Sequence, residues 1–221
     1  GKGENSGNLD VGSVFDVIGE FVNKGADAVL DATKTAVTKV AGLLRNEGTA
    51  NYDDMTIADG GKSENVGFEK GDILTVANGG EHSNSGTSIW NNVTVETGAS
   101  SSVEAGGKET INDAYVIAGD RVNKGEVDAT GVESTEVTGT LDNQGTSNYD
   151  DMTVGDGGKS NNSGYEKGDI LIIEDGGEHI NSGTSIWNNQ TVKEGGTSVT
   201  EEGGKETIND EYVIEGDKTN K

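Results

Sequence analysis

The sequence predicts a mainly β chain: a single parallel β-solenoid of about nine rungs of 19–20 residues, preceded by one long amphipathic α-helix. Three observations predict it. The chain repeats itself at an offset of 97 residues, the tripeptide Asn-x-Gly recurs every 19 or 20 residues, and apolar side chains alternate just before glycine pairs. Composition alone allows two readings. Hydrophobic residues are 30% and aromatics 5% of the 221 residues, too few for an ordinary two-layer globule. Low hydrophobicity with high charge is the signature of disorder, but it also suits a repeat protein with a thin core and many turns. The periodicity decides for the repeat.

The stretch from Asn46 (NEGTANYDDMTIADGGKS) returns from Asn143 (NQGTSNYDDMTVGDGGKS) and stays in step through Tyr52/Tyr149, Trp90/Trp187 and Asp120/Asp217. This divides the chain into an arm (1–13), the helix (14–45), a first cassette (46–142, five rungs) and a second, truncated cassette (143–221, four rungs). Inside the cassettes, Asn-x-Gly stands at Asn46, Asn65, Asn84, Asn123, Asn143, Asn162 and Asn181, with Glu104-Ala105-Gly106 filling the one long interval. Met55, Leu74, Val93, Met152 and Leu171 occupy one column. Ile57, Val76, Val95, Val154, Ile173 and Val192 occupy another, two residues on. A spacing of two points both columns to one face of a strand, so these eleven residues are the expected core. Glycine pairs such as Gly60-Gly61 and Gly176-Gly177 follow, and glycine allows the positive φ of a tight corner. Stacked coils bring like residues together at ~4.8 Å, so the asparagines are expected to form an amide ladder.

The phrases VTVETGASSSVEAGG (93–107), MTIADGGKSENVG (55–67) and QTVKEGGTSVTEEGG (190–204) resemble the Gly-Gly-punctuated repeats of AIDA-type autotransporter adhesin passengers. The resemblance covers residues 46–219. It implies a β-solenoid on a bacterial surface.

Residues 14–45 have a different spacing. Phe15, Ile18, Val22, Val29, Val37, Val40 and Leu44 recur at intervals that suit one helical face, opposite Asp16, Glu20, Lys24, Asp27, Asp31 and Lys34. Ser13 is placed to cap the start, and Asn46 and Gly48 to end it. Charges at every turn exclude a membrane span. At ~1.5 Å per residue the helix would reach ~48 Å, enough to lie along nine rungs or to cap the first.

The charge balance and missing residue types remove several functions. Sixteen Lys+Arg against forty Asp+Glu leave a net charge of −24, which speaks against nucleic acid and anionic membranes. With no cysteine there are no disulfides, thiolate metal sites or Cys nucleophiles. His82 and His179 fall in rungs ~24 Å apart, too far to act as a pair. Asp53-Asp54, Asp72, Asp120, Asp150-Asp151, Asp169 and Asp217 have oxygen ligands of the kind Ca²⁺ takes. The calcium nonapeptide of RTX repeats does not occur, so these acids read as a solvated face and no cofactor is expected. Tyr52, Trp90, Tyr149 and Trp187 read as a packing column rather than a sugar platform. Sequons stand at Asn92, Asn161 and Asn189.

What remains is a non-enzymatic structural protein. The expectation is an extracellular, cell-surface filament subunit that polymerises with itself head to tail. Leu9, Val11, Phe15, Ile18 and Val22 would meet Tyr212, Val213 and Ile214 of the next copy. The alternative is an adhesin passenger fragment that holds a glycan or protein receptor on a host or sister cell.

Overall fold

In the computed structural model, which describes residues 1–221, every regular element is a β-strand. The chain winds as one parallel solenoid. One wall is a 12-stranded sheet of short strands, and the other is a 16-stranded sheet of longer or broken ones. Each coil runs along the long wall, turns at a glycine corner, crosses the short wall and returns through the Asn-x-Gly corner. Thr87–Val95, Gly98 and Ser100–Val103 make one such circuit. Register advances by one repeat per coil, so Leu74 pairs Val93 and Val76 pairs Val95. The coil at 104–122 holds one extra residue, absorbed as a bulge where Trp90 faces Ile111 and Asn92 faces Ala114.

Two expectations are corrected. Residues 14–45 form no helix, and the solenoid has about twelve turns, not nine. Phe15–Val17, Glu20–Asn23, Val29–Ala32, Thr38–Val40 and Leu43–Asn46 are strands continuous with the rest of the stack. Phe15 pairs Thr38, Val17 pairs Val40, and Val40 pairs Ile57. The apparent helical stripe mixes inward residues (Phe15, Val40, Leu44) with outward ones (Val22, Val29) and exposed ones outside the strands (Ile18, Val37). Gly19, Gly25 and Gly42 interrupt the segment, and each glycine costs a helix ~1 kcal/mol. The decisive signal lay in the repeat itself. Asp31-Ala32-Thr33 and Thr38-x-Val40 return at the same offset of 97 as Asp128-Ala129-Thr130 and Thr135-x-Val137. Asn5-Ser6-Gly7 and Asn23-Lys24-Gly25 extend the corner column to the N-terminus.

The asparagine ladder runs Asn5→Asn23→Asn46→Asn65→Asn84 and again Asn123→Asn143→Asn162→Asn181, each amide donating to the next at 2.8–3.0 Å. Each also donates to a backbone carbonyl of the following coil, as Asn65 does to Thr87 at 2.9 Å. The amides thus satisfy the buried corner. The ladder breaks at Val103 and Thr200, which take the asparagine position in the two coils whose corners read Glu-Ala-Gly-Gly and Glu-Glu-Gly-Gly. All eleven core residues, from Met55 to Val192, lie fully buried between the walls.

Candidate functional site

Inward parity along the strands brings in charge as well as hydrocarbon. Glu109 stands two residues before Ile111, and His82 two before Asn84, so both point into the lumen. Four coils close an inward acid against a base on the opposite wall, three of the acids fully buried and Glu206 nearly so. Glu69 Oε1 lies 3.0 Å from His82 Nε2 and Glu166 Oε1 lies 2.7 Å from His179 Nε2, while Glu109 contacts Arg121 and Glu206 contacts Lys218. Serine layers separate these charged layers. Ser88 Oγ donates to Glu69 at 3.0 Å and accepts from Trp90 Nε1 at 2.7 Å; Ser185 and Trp187 repeat this around Glu166. Arg121 also donates to Ser101, whose Oγ lies 3.5 Å from His82 Nδ1.

Burying an ion pair costs several kcal/mol of hydration per charge, offset only when hydrogen bonds complete the site. Here completion is partial: Glu69, Glu109, Glu166 and Glu206 each leave one carboxylate oxygen without a partner. Burial pulls the Arg121 guanidinium down to about 10, so it stays charged at neutral pH. Burial raises the Tyr52 hydroxyl well above its usual range, with Glu69 adding to it, and burial likewise raises Tyr115 and Tyr149. Trp90 stacks on Tyr52 at 5.9 Å and Trp187 on Tyr149 at 6.1 Å, inside the coil wall. A Cβ on Gly71 would lie 2.2 Å from the Trp90 ring, so glycine there makes room for the indole.

The Glu–His–Ser order at Glu69, His82 and Ser101 is an arrangement known from hydrolases, but all three are buried, with Ser101 the most accessible at 3%. A substrate would have to pry adjacent coils apart to reach them. The carboxylates lie elsewhere. Asp53, Asp54 and Asp72 converge within 4.8 Å on the outer surface, as do Asp150, Asp151 and Asp169. Partial burial, then the neighbouring carboxylates, raise Asp54 and Asp151 from the usual aspartate value. Asn91 donates to Asp72 at 2.9 Å and Asn188 to Asp169 at 2.8 Å, so some of each acceptor set is already used. Either triad has the donor type for a divalent cation. An open groove of about 510 Å³ runs beside Asp113, Glu133, Glu136 and Asp151, where the long wall is broken between Glu126–Ala129 and Thr135–Val137. Asn92, Asn161 and Asn189 are half-buried on the strands.

The residues expected at an assembly surface fall at the two ends of the stack. Leu9, Val11 and Phe15 are half-buried against the core, Val22 is half-buried, and Ile18 is 79% exposed. At the other end Val213 is half-buried, while Tyr212 and Ile214 are exposed. Lys205–Ile214 pairs only with Thr184–Val192 below it, and Lys2–Asn5 only with Glu20–Asn23. The lumenal acids escaped sequence reading because each acid and its base are 12 or 13 residues apart, on opposite walls. Their recurrence at an offset of 97, with Arg121 matched by Lys218, is the signal that could have found them.

The fold and its interior define a parallel β-solenoid repeat protein with a polar-laddered core. No protein-family model and no curated protein matches the chain.

Proposed function

We propose that this protein is a non-enzymatic structural rod, a subunit that stacks end to end with copies of itself into an extracellular, cell-surface filament. One observation carries the reading. The coils stack in parallel register through backbone ladders and a buried asparagine ladder, one contact repeated along a 12-stranded wall around a sealed interior. A contact that repeats between unlike faces of successive coils suits repetition between copies, and a contact between unlike ends propagates rather than closing as a dimer. The enclosure of both histidines supports a structural rather than catalytic role. The resemblance of the Gly-Gly repeats to those of AIDA-type passengers supports the surface location.

Negative-stain microscopy with sedimentation of the purified chain tests the reading. Fibres whose length grows with concentration are expected, with lateral bundling rising with salt as the charge of −24 is screened. Rods of a single short length at every concentration would refute it. They would leave the adhesin reading, for which the acidic groove beside Asp113, Glu133 and Glu136 offers a flank suited to a cationic receptor.

A further inference from the structure

We propose that Gln190 and Lys218 join through a side-chain amide bond, a covalent staple between adjacent coils that the chain makes for itself with loss of ammonia. The two cassettes mark the place by their differences. Gln190 stands where the first cassette has Val93, and Lys218 where it has Arg121. Around them Glu109/Glu206, Ser101/Ser198 and Tyr115/Tyr212 are unchanged at the offset of 97. A carboxamide and a primary amine thus enter one cassette together. Arginine keeps its proton and has no lone pair to give, and valine has no carbonyl, so the first cassette cannot form this bond. Gln190 stacks on Leu171 and is fully buried. Val93, equally buried, shows that the wall closes at this place without an amide.

The structure brings both groups to one atom. Ser198 Oγ accepts from Gln190 Nε2 at 3.3 Å and from Lys218 Nζ at 3.0 Å. Lys218 also donates to Thr200 Oγ1 at 3.3 Å and contacts Glu206. Gln190 Oε1 and Glu206 Oε1 are buried and have no partner. A buried carbonyl without a donor is costly to keep, and the reaction accounts for both orphans. Glu206 takes a proton from the Lys218 ammonium and then has an O–H to offer, while the Gln190 carbonyl lacks a donor. The freed Nζ lone pair bonds to Gln190 Cδ, and the Cδ–Nε2 bond breaks. The departing nitrogen collects the proton held by Glu206 and a second one from Nζ, and leaves as ammonium. Glu206 ends as the carboxylate it began as, and nothing is oxidised or reduced. Groups held within reach of each other react as if highly concentrated, so no outside reagent is needed. Ser198 is a positioning residue that holds amine and amide together.

Intact-mass measurement of the purified full chain tests this. The mass should fall below the sequence mass by one ammonia, and a digest should contain one branched species with Gln190 joined to Lys218. Gln190→Val and Lys218→Arg copy what the first cassette carries at these places, so both should fold, and each should keep its full mass. Glu206→Gln should abolish linking. Ser198→Ala should slow it about tenfold yet still yield Gln190 joined to Lys218. The linked chain should unfold in urea about tenfold more slowly than Gln190→Val, as for other cross-links that close a loop. A wild-type chain at full sequence mass would overturn the proposal. So would a loss of ammonia that persists in Lys218→Arg, that maps to a succinimide at Asn78-Gly79, or that ends on Ser198 Oγ as an ester cleaved by mild alkali.

Discussion

The coils at 104–122 and 201–219 differ at five positions, yet one is interior and the other is a surface. The Glu109–Arg121 pair is wholly buried, whereas the Glu206 and Lys218 side chains remain 10% and 9% exposed. Tyr115 is sealed, and Tyr212 lies open beside Lys218. Nearly the same strand sequence thus has two energetic roles, and the next coil decides which. The choice of base agrees with this. Arginine, which keeps its charge when desolvated, stands in the roofed coil, and lysine, on a flexible stem that can reach water, stands in the open one.

The largest expected effect contrasts the two ion pairs. Arg121→Ala strands Glu109 in the lumen and should cost ~3–5 kcal/mol, read as a fall in the urea midpoint. Lys218→Ala, beside solvent, should cost less than half as much in a Gln190→Val chain, where no link forms. Equal losses would show that the roof does not govern these pairs.

The asparagine corner should separate the coils next. Asn123 donates to Asn143 Oδ1, to the Thr146 carbonyl and to Ser147 Oγ, so Asn123→Ala leaves buried acceptors unpaired and should cost ~2–3 kcal/mol. Asn220 is exposed, and Asn220→Ala should be neutral in the single subunit.

Alkaline titration comes third. Burial raises Tyr52, Tyr115 and Tyr149, so the folded state keeps these protons where the unfolded chain, near 10, releases them. Stability is therefore undiminished below pH ~10 and falls above it, by up to ~1.4 kcal/mol per pH unit for each tyrosine whose proton is held. Ultraviolet titration should show these three ionising only with unfolding. Burial and Glu206 also raise Tyr212.

The smallest effect concerns the outer carboxylates. Asp54 is raised, so the folded state binds its proton more tightly than the unfolded chain does, and stability declines as pH rises through that range. Asp54→Asn should stabilise the protein at neutral pH by ~0.5 kcal/mol, as for exposed charge pairs, with the gain vanishing at pH ~4. A destabilised variant would mean that Asp54 serves the fold through its hydrogen bonding.

The columns of Met55, Ile57, Leu74 and Val76 and the asparagine ladder were legible because a constant repeat length alone determines which residues stack. Residues 14–45 were misread for the same reason in reverse. Their coil is longer and its turns irregular, so apolar residues of both faces, inward Val40 and Leu44 with outward Val22 and Val29, fell at distances that imitate one helical face. Parallel templating by the coil at 46–64 overrides that local pattern.

Period, corner chemistry and the parity of inward residues were properties of the sequence by itself, since each follows from neighbours in the chain and a fixed strand spacing. Which acid meets which base across the lumen, and whether a coil is core or surface, were decided only by closure and stacking. Glu109 and Arg121 touch because the coil returns on itself, and they are dry because another coil lies above them.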